Sequence, residues 1–334
     1  MVKMVDNSSE ISNLKLSLEG QKAISCPKCS SKLKVLENQI QCTNLECKTC
    51  FPSVNGTAIL LDESTSIFRI EEYIECGTET NLKAKSKLER ATVNLIPSNI
   101  LNLNTEKNYR QFTELLLQNS DRPKVLIIGG GTVGQGAEAL LENPAIEIIE
   151  TDVVLTSRID IICDAHQLPF ADNSFDGVVV QAVLEHVMDP YLCVQEIYRV
   201  LGDQGLVYSE TPFMQQVHLG KYDFTRFTHL GHRRLFRKFA EVSSGVVCGP
   251  GMALNWSLQY FFLSFVKSSA ARNFVKALTR LAFFWLKYFD YYLIDKPGTF
   301  DSASGYYFLG RKSETVLDDK ELLELYRGAQ SSSF

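Results

Sequence analysis

Short apolar runs alternate with helix-like segments along the middle of the chain, from residue 124 to residue 209. The runs have the length and composition of buried strands, and helical periodicity follows two of them. The predicted strands are 124–128, 146–149, 159–163, 177–180 and 206–209, and the predicted helices are 137–141 and 191–201. Strands that alternate with helices form a mainly parallel sheet with helices on both faces. The pattern therefore predicts a doubly wound α/β domain.

Composition divides the chain into five segments. A polar start and a polar end enclose a cysteine-rich segment, a connector and the α/β domain. The predicted boundaries are 1–22 for the polar start, 23–62 for the cysteine-rich segment, 63–120 for the connector, 121–313 for the α/β domain and 314–334 for the tail. The polar start is expected to be poorly ordered. The connector has helical periodicity over 82–93 and 105–117, and helices in this position are expected to cover the ligand crevice of the sheet.

A glycine-rich turn follows the first predicted strand of the domain. Gly129, Gly130 and Gly131 stand where a parallel strand delivers backbone N–H groups to a ligand at its carboxyl end. The next strand ends near two acids, Glu150 and Asp152, and both are candidates for holding ribose hydroxyl groups. The glycine spacing also fits the dinucleotide fingerprint, with Glu150 as its acid. An NAD-dependent oxidoreductase is therefore one reading of this turn.

The segment 164–188 specifies the ligand more narrowly. It reads D-A-H-Q-L-P-F-A-D-N-S-F-D-G-V-V-V-Q-A-V-L-E-H-V-M. This segment resembles the class I S-adenosylmethionine-dependent methyltransferases, in the branch that reads D-A-x-x-L-P-F-x-x-x-S-F-D at this place. The resemblance implies that Asp164 accepts a hydrogen bond from the adenine amino group, that the N–H of Ala165 reaches the ring, and that the glycines approach the methionine part of the cofactor. Gln181, which follows the next strand, completes the predicted cofactor-binding residues.

Methyltransferases of this class have a seven-stranded sheet that ends in a helix and two further strands. The resemblance places that helix at 233–239 and the two strands at 242–247 and 305–309. A long apolar insertion, 251–303, separates the two strands. Its first half is too short to span a membrane, and charges interrupt its second half. A helical pair packed on the sheet as a lid or dimer face is favoured, and contact with a membrane surface through 252–294 is the alternative.

Five of the nine cysteines lie in the cysteine-rich segment. Cys26 and Cys29 form a C-x-x-C knuckle, and a second pair some residues further on completes the four-coordinate shell of a structural zinc. The segment resembles the small zinc-ribbon modules that activate methyltransferases or are fused to them. The resemblance makes Cys42 and Cys47 the other ligands, with the pair Cys42 and Cys50 as an alternative. Four cysteine ligands leave no open position, so this zinc is expected to be structural rather than catalytic.

Charge and composition limit the cellular context. The chain has 334 residues and a net charge of -5, which provides no general attraction to nucleic acid. No apolar signal segment opens the sequence, so a reducing, cytoplasmic location is expected. In that compartment clustered cysteines bind metal more readily than they form disulfides.

Histidines and a polar loop near the carboxyl ends of the strands are candidates for the acceptor site. An oxygen or protonated-nitrogen acceptor needs a base with a pKa near neutrality, and histidine is the usual choice. The candidate bases are His186, His218 and His229, and the candidate acceptor contacts are Tyr222, Asp223 and Arg226. Aromatic and charged side chains together suit a hydroxylated molecule. The sequence therefore predicts O- or N-methylation of a small, sugar-like or lipid-linked acceptor.

Two other functions remain open from the sequence. The first is an RNA methyltransferase that holds RNA with its zinc ribbon, which the acidic balance disfavours. The absence of an N-P-P-Y-type tetrapeptide after the strand 177–180 also disfavours methylation of a flipped base. The second is the oxidoreductase already mentioned. A homodimer is compatible with each of these functions.

Overall fold

A single mixed β-sheet runs through the protein. The computed structural model describes residues 14–36, 39–76, 97–132 and 134–331. The strands are β1 (Leu33–Val35), β2 (Gln39–Cys42), β3 (Cys50–Val54), β4 (Thr57–Ile59), β5 (Lys124–Ile128), β6 (Glu147–Asp152), β7 (Ile161–Ile162), β8 (Phe175–Gln181), β9 (Leu201–Pro212), β10 (Phe239–Cys248) and β11 (Gly305–Lys312).

The α-helices occupy the connections between these strands and the region before them. They are α1 (Leu18–Ala23), α2 (Ile70–Cys76), α3 (Thr105–Asn119), α4 (Glu138–Leu141), α5 (Pro190–Val200), α6 (His229–Leu235), α7 (Pro250–Leu263), α8 (Ser269–Phe283), α9 (Asp290–Leu293) and α10 (Asp319–Glu324). The predicted helix at 82–93 lies outside the described residues. The predicted helix at 233–239 corresponds to α6, which begins and ends four residues earlier.

The strand order is β1-β2-β3-β4-β7-β6-β5-β8-β9-β11-β10. The strands from β4 to β9 in this order are parallel, and β11 and β10 are antiparallel to their neighbours. The strand β5 comes first in the α/β domain yet lies in its middle, between β6 and β8. Ligands bind at such a reversal of strand order, outside the carboxyl ends of the strands. The predicted α/β fold is confirmed, and the order locates its crevice.

Among the described residues the sheet has eleven strands, whereas seven were predicted for the sheet of the α/β domain. Seven of them, from β7 to β10 in spatial order, belong to the α/β domain, and the other four come from the cysteine-rich segment. The joint is between β4 and β7, where Ala58 pairs with Ile161 and Ile59 with Ile162. Local periodicity does not reveal a pairing between residues so far apart in the chain, so the sequence predicted a small zinc ribbon beside the seven-stranded sheet and not a continuous sheet.

Part of the polar start, residues 14–22, packs against the sheet, although poor order was predicted for 1–22; residues 1–13 lie outside the described residues. Ser17 caps α1 by accepting a hydrogen bond from the N–H of Gly20 at 2.9 Å. Leu16 and Ala23 are buried in the main hydrophobic core together with Leu126 of β5. Residues 14–22 are therefore part of the packed structure, because Leu16 lies in that core and Leu14 packs against it.

The connector helix predicted at 105–117 is confirmed as α3. Phe112 and Leu116 on this helix are fully buried, and they contact Val125 and Tyr208 in the second hydrophobic core. α3 covers the sheet near β8 and β9. The crevice itself is covered by residues 60–68, as described below.

The insertion between β10 and β11 forms α7, α8, α9 and two short 3-10 helices. The helix α7 packs against α8, with the buried Gln259 amide donating to the hydroxyl of Thr279 at 3.2 Å. In the described part of the chain, no helix is both long enough and apolar enough to cross a membrane. The outer face of α8 is apolar and exposed, with Phe274 at 68% and Leu278 at 54% of their maximal accessible areas.

Candidate functional site

A large cavity opens at the carboxyl ends of β5, β6, β7 and β8. Its volume is about 890 Å³. The lining includes Gly129 and Gly131 after β5, Asp152 at the end of β6, and Asp164 after β7. Residues 60–68, which follow β4, form its cover. A smaller cavity of about 400 Å³ shares Gly129 with the larger one and extends towards α3. The predicted glycine turn therefore lies at the centre of the crevice.

The glycine turn provides close approach of the backbone rather than free N–H groups. Gly129 has φ +81°, and a Cβ atom there would lie 2.2 Å from Cγ2 of Val183. The N–H groups of Gly129 and Gly130 donate to the carbonyl of Thr151 at 2.8 and 3.0 Å, and the N–H of Gly131 donates to Asp152 at 2.8 Å. The expected delivery of these three N–H groups to a ligand is therefore wrong, since all three have protein acceptors.

The two candidate ribose acids face different cavities. Asp152 lines the larger cavity, and its second oxygen accepts from the N–H of Val154 at 2.9 Å. Glu150 lines the smaller cavity and is paired with Arg158. Burial raises the pKa of both carboxyls, against the opposing effect of these donors. Only Asp152 shares a cavity with Asp164.

Asp164 is buried beneath the cover of the larger cavity. One of its oxygens accepts from the Ser66 hydroxyl at 2.6 Å, and the other accepts from the backbone N–H of His166 at 3.0 Å and lies 2.6 Å from His166 Nδ1. Burial acts to raise the pKa of Asp164, but the hydrogen bonds from His166 and Ser66 outweigh it and hold the pKa below its usual value. Ala165 lines the same cavity, beside Asp164.

Gln181 lies on the side of the smaller cavity. Its amide oxygen accepts from the Tyr109 hydroxyl at 2.9 Å, and its amide nitrogen donates to Glu210 at 2.7 Å. The buried Glu210 carboxylate also accepts from Thr105 of α3 at 2.8 Å. These bonds fix Gln181 to α3 and β9, so its immediate role is to hold the floor of the smaller cavity.

The three candidate bases occupy different environments. His186 lines the larger cavity. The His218 ring packs edge-on against the His186 ring, with the ring centroids 4.7 Å apart. His229 is instead buried in the core beyond β9, where its Nε2 lies 3.1 Å from the Ser244 hydroxyl. Burial lowers the pKa of His229 to about 4. The prediction of His229 as a base is wrong, because α6 turns this side chain into the core.

Two of the predicted acceptor contacts are bound to each other. Arg226 forms a two-pronged ion pair with Asp223, one contact of which is 2.8 Å long. The Asp223 side chain is 1% exposed, and Arg226 holds its pKa down at about 2. Both face the loop rather than the cavity, so their prediction as direct acceptor contacts is wrong. Tyr222 lies nearer the crevice, with its ring stacked at 6.4 Å on Phe68 of the cover.

Glu185 is a buried acid that the sequence reasoning passed over. Its Oε1 lies 3.7 Å from Nε2 of His186 and 3.9 Å from Nε2 of His218. The side chain is 1% exposed, and both of its oxygens lack a hydrogen-bond partner among the described residues. Burial raises the pKa of Glu185 to about 8. Its position within the L-E-H triplet was the available signal.

The four predicted zinc ligands come together at the edge of the sheet. The Sγ atoms of Cys26 and Cys47 are 3.8 Å apart, those of Cys29 and Cys42 are 3.4 Å apart, and all four lie within 4.8 Å of one another. A tetrahedral zinc with bonds of about 2.3 Å requires sulfurs roughly 3.8 Å apart. Cys50 is exposed and lies outside this cluster. The geometry thus selects Cys47 over Cys50.

Residues 128–209 match a family described as a methyltransferase domain. The matched stretch contains the glycine turn, Asp152 and Asp164. A ubiquinone/menaquinone biosynthesis C-methyltransferase, UbiE of Desulfotalea psychrophila, is 46% identical over 44 residues, which is 13% of this chain and 18% of that protein. The match thus spans less than a fifth of this curated relative.

Several solved structures are similar in part. Phosphoethanolamine N-methyltransferase 2 of Haemonchus contortus, in complex with phosphomonomethylethanolamine and S-adenosylhomocysteine, is 16% identical over 61% of this chain and 52% of that chain, with a TM-score of 0.38. A chain from the complex between the Haloferax volcanii Trm112 methyltransferase activator and a methyltransferase is 17% identical over 64% of this chain and 100% of that chain, also with a TM-score of 0.38.

The family match indicates the class of the domain. Residues 128–209 are similar to a methyltransferase domain, and this match supports the predicted class I S-adenosylmethionine-dependent methyltransferase. The oxidoreductase reading of the glycine turn is set aside, because the same turn lies inside the methyltransferase match.

Proposed function

We propose that the larger cavity binds S-adenosylmethionine. The observation that carries this proposal is the pair of carboxylates, Asp152 and Asp164, that face one largely apolar cavity beside the glycine turn. Asp152 is assigned to the ribose hydroxyls, since Glu150 is turned away and paired with Arg158. Asp164 and the N–H of Ala165 are assigned to the adenine. Gly129, which lines the same cavity, is assigned to the methionine part.

The reaction we propose is methyl transfer to an oxygen or nitrogen atom. The bound cofactor supplies a methyl group on a sulfonium; the acceptor lone pair forms the new bond to the methyl carbon, and the C–S electron pair stays on sulfur. The protein contributes mainly by holding the acceptor in line with the methyl group. We assign the acceptor atom to the side of the larger cavity lined by His186, which Glu185 and His218 adjoin.

The acceptor we propose is a small molecule with an apolar body. The outer part of the cavity is lined by apolar side chains, namely Ile67, Phe68, Val187, Met188, Leu192 and Leu219. Such a lining suits an aromatic or lipid-linked molecule that presents one polar group to His186. The negative net charge of the chain and the apolar lining of the cavity both disfavour RNA as the acceptor.

Calorimetry tests the cofactor assignment with a matched pair of variants. S-adenosylhomocysteine is expected to bind the wild-type protein, and NAD is not. Asp152→Asn is expected to weaken the binding of S-adenosylhomocysteine by about 1 to 3 kcal/mol, the usual cost of losing a charged hydrogen-bond acceptor. Glu150→Gln is the control and should leave the affinity unchanged. Equal losses in both variants, or tight NAD binding, contradict the assignment, and methylation of ribosomal RNA by the purified protein contradicts the acceptor class.

We also propose that Cys26, Cys29, Cys42 and Cys47 hold a structural zinc. The support is the clustering of their sulfur atoms and the exposure of Cys50 outside it. Four thiolate ligands close the coordination shell, so the metal takes no part in methyl transfer.

A third proposal concerns the insertion. We propose that its exposed apolar face rests on an anionic membrane surface and gives access to a lipid-linked acceptor. Between residues 249 and 289 the sequence has five basic residues and no acidic one, although the whole chain carries a charge of -5. Exposed aromatic residues stand beside these bases, including Phe265, Phe274 and Trp285. Aromatic and basic residues on one amphipathic surface are typical of helices that lie in the lipid interface.

A further inference from the structure

Glu185, His186 and His218 form a compact cluster of possible metal ligands beside the larger cavity. Glu185 and His186 lie in the turn after β8, and His218 lies in the loop after β9. One ligand atom from each residue lies within 4.8 Å of the other two. The Glu185 Oε1 atom lies 3.7 Å from Nε2 of His186 and 3.9 Å from Nε2 of His218.

The hydrogen bonds of the two histidines define which nitrogen faces Glu185. His186 Nδ1 lies 2.8 Å from the carbonyl oxygen of Tyr222. A carbonyl can only accept, so Nδ1 carries the hydrogen and the neutral ring has its lone pair on Nε2. His218 Nδ1 lies 3.4 Å from the carbonyl of Gln216 and 3.4 Å from a carboxylate oxygen of Asp223. The same reasoning leaves its Nε2 as an acceptor.

Three possible ligand atoms therefore converge on one point. They are the two Nε2 atoms and an oxygen of the buried Glu185 carboxyl group, and neither Glu185 oxygen has a hydrogen-bond partner among the described residues. A buried carboxyl group that faces two imidazole lone pairs requires either a proton or a cation between them. Two imidazoles and one carboxylate are ligands that divalent transition metals prefer over magnesium and calcium.

We propose that Glu185, His186 and His218 bind a divalent transition-metal cation through one carboxylate oxygen and two Nε2 atoms. Three protein ligands leave at least one coordination position open, and His186 places the site at the cavity wall. That position suits an acceptor oxygen, whose proton is released to solvent more easily once the oxygen is bound to the cation. This role in catalysis rests on the proposed methyl transfer, whereas cation binding does not.

The proposal also explains why Asp223 and Arg226 face each other. The Asp223 carboxylate contacts His218 twice, at its ring and at its backbone N–H, the latter at 2.9 Å. Arg226 fixes Asp223 in turn and also donates to the Gln215 carbonyl at 2.9 Å. Carboxylates and carbonyls behind a metal-bound imidazole orient the ring. Asp223 and Arg226 are thus positioning residues of this site.

Cobalt binding to the full-length protein, with its cysteine cluster loaded with zinc, tests the site without any turnover. The wild-type protein is expected to take up one Co²⁺ per chain and to show cobalt absorption without a sulfur-to-metal charge-transfer band. His218→Ala is expected to weaken Co²⁺ binding by at least tenfold, a typical effect of losing a ligand or its support. Lys221→Ala, an exposed change on the same loop, is the control and should bind as the wild type does.

The variant Glu185→Gln tests whether Glu185 binds a cation or carries a proton. The Gln amide can donate to an imidazole lone pair, so this variant is expected to fold and to lose Co²⁺. Thermal unfolding verifies the folded state of each variant. No Co²⁺ uptake by the folded wild-type protein means that Glu185 carries a proton instead, and overturns the proposal. Equal Co²⁺ affinity in wild type and His218→Ala overturns it as well. Failure of methyl transfer alone leaves these binding results unchanged.

Discussion

His229 and His232 illustrate at the residue scale how burial sets protonation. His232 is fully buried with its Nε2 3.0 Å from the Ser209 hydroxyl, and His229 is buried one turn earlier on α6. Burial lowers the pKa of His229 to about 4 and that of His232 to about 3, and the neighbouring cations Arg233 and Arg327 act in the same direction. Glu241 opposes them at His229. Both rings are therefore neutral in the folded protein at neutral pH.

This neutrality predicts a loss of stability in mild acid. The unfolded chain binds protons at these histidines below about pH 6.5, while the folded chain does not until about pH 4 or lower. The contribution of these histidines to the free energy of unfolding is thus fully present above about pH 6.5. It falls as the pH decreases, by about 1.4 kcal/mol per pH unit for each histidine. Urea unfolding between pH 7 and pH 5 measures the slope. His229→Gln is expected to reduce it by about one histidine's share, and an unchanged slope contradicts the prediction.

The direction of a side chain decides which of the predicted residues reach the crevice. Asp164, Asp152 and His186 follow strands whose carboxyl ends all meet at one edge, so the sequence could place them there. His229 and Asp223 lie on a helix and a loop whose orientation depends on distant packing. Their residue types suited an acceptor site, but the sequence contains no local signal of the face they present. Glu185 was missed for the opposite reason, because its neighbour His186 had the more familiar chemistry.

At the scale of elements, the cysteine-rich segment is an extension of the catalytic sheet. The N–H of Ser25 donates to the Pro169 carbonyl at 2.9 Å, directly before the first cysteine. Cys26 and Phe51 belong to the same hydrophobic core as Leu126 and Phe170. The cover of the larger cavity follows β4 immediately, and its Ser66 contacts Asp164. Order in this segment is therefore linked to order around Asp164 in the cavity.

This linkage predicts the effect of removing zinc. Structural zinc in small modules contributes on the order of 10 kcal/mol of apparent binding free energy. Cys26→Ser is expected to abolish the tightly held zinc, to lower the midpoint of thermal unfolding of the whole chain, and to weaken S-adenosylhomocysteine binding. Cys50→Ser should change none of these. Metal analysis, calorimetry and thermal unfolding provide the readouts. A wild-type protein that contains no zinc, or a Cys26→Ser variant with normal cofactor affinity, contradicts the prediction.

Elements of the sheet were predictable where periodicity and burial agree. The apolar runs that form β5 and β8 are uninterrupted. Both strands begin and end within three residues of the predicted limits. The strand β7 is only Ile161–Ile162, although five residues were predicted, because its partners β4 and β6 pair with it over two residues. Pairing partners, rather than composition, determine how much of an apolar run becomes a strand.

At the scale of the whole molecule, charge and apolar surface are unevenly distributed. Carboxylates, among them Asp152 and Asp164, line the larger cavity. The insertion follows the edge strand β10 in the chain, and its exposed residues include basic and aromatic side chains. The buried Asp290 carboxylate accepts from the N–H groups of Gly251 and Met252 at 2.7 and 2.9 Å, which fixes α7 to the end of the insertion. The insertion is thus an ordered part of the fold, and the outer face of α8 is left exposed.

The uncovered face predicts binding to anionic membranes. The wild-type protein is expected to sediment with vesicles of phosphatidylglycerol and phosphatidylcholine, and to do so less as salt is added, because Lys267 and Lys276 act through screened charge. Phe274→Glu with Leu278→Glu should abolish sedimentation, since two acids replace apolar contacts on the outer face of α8. Leu323→Glu on α10 is the control, because this leucine is as exposed but lies outside the insertion. The wild-type protein could instead fail to sediment with vesicles and form a concentration-dependent dimer that the double variant disrupts. In that case the face is a contact between two copies of the chain, and the membrane proposal is wrong.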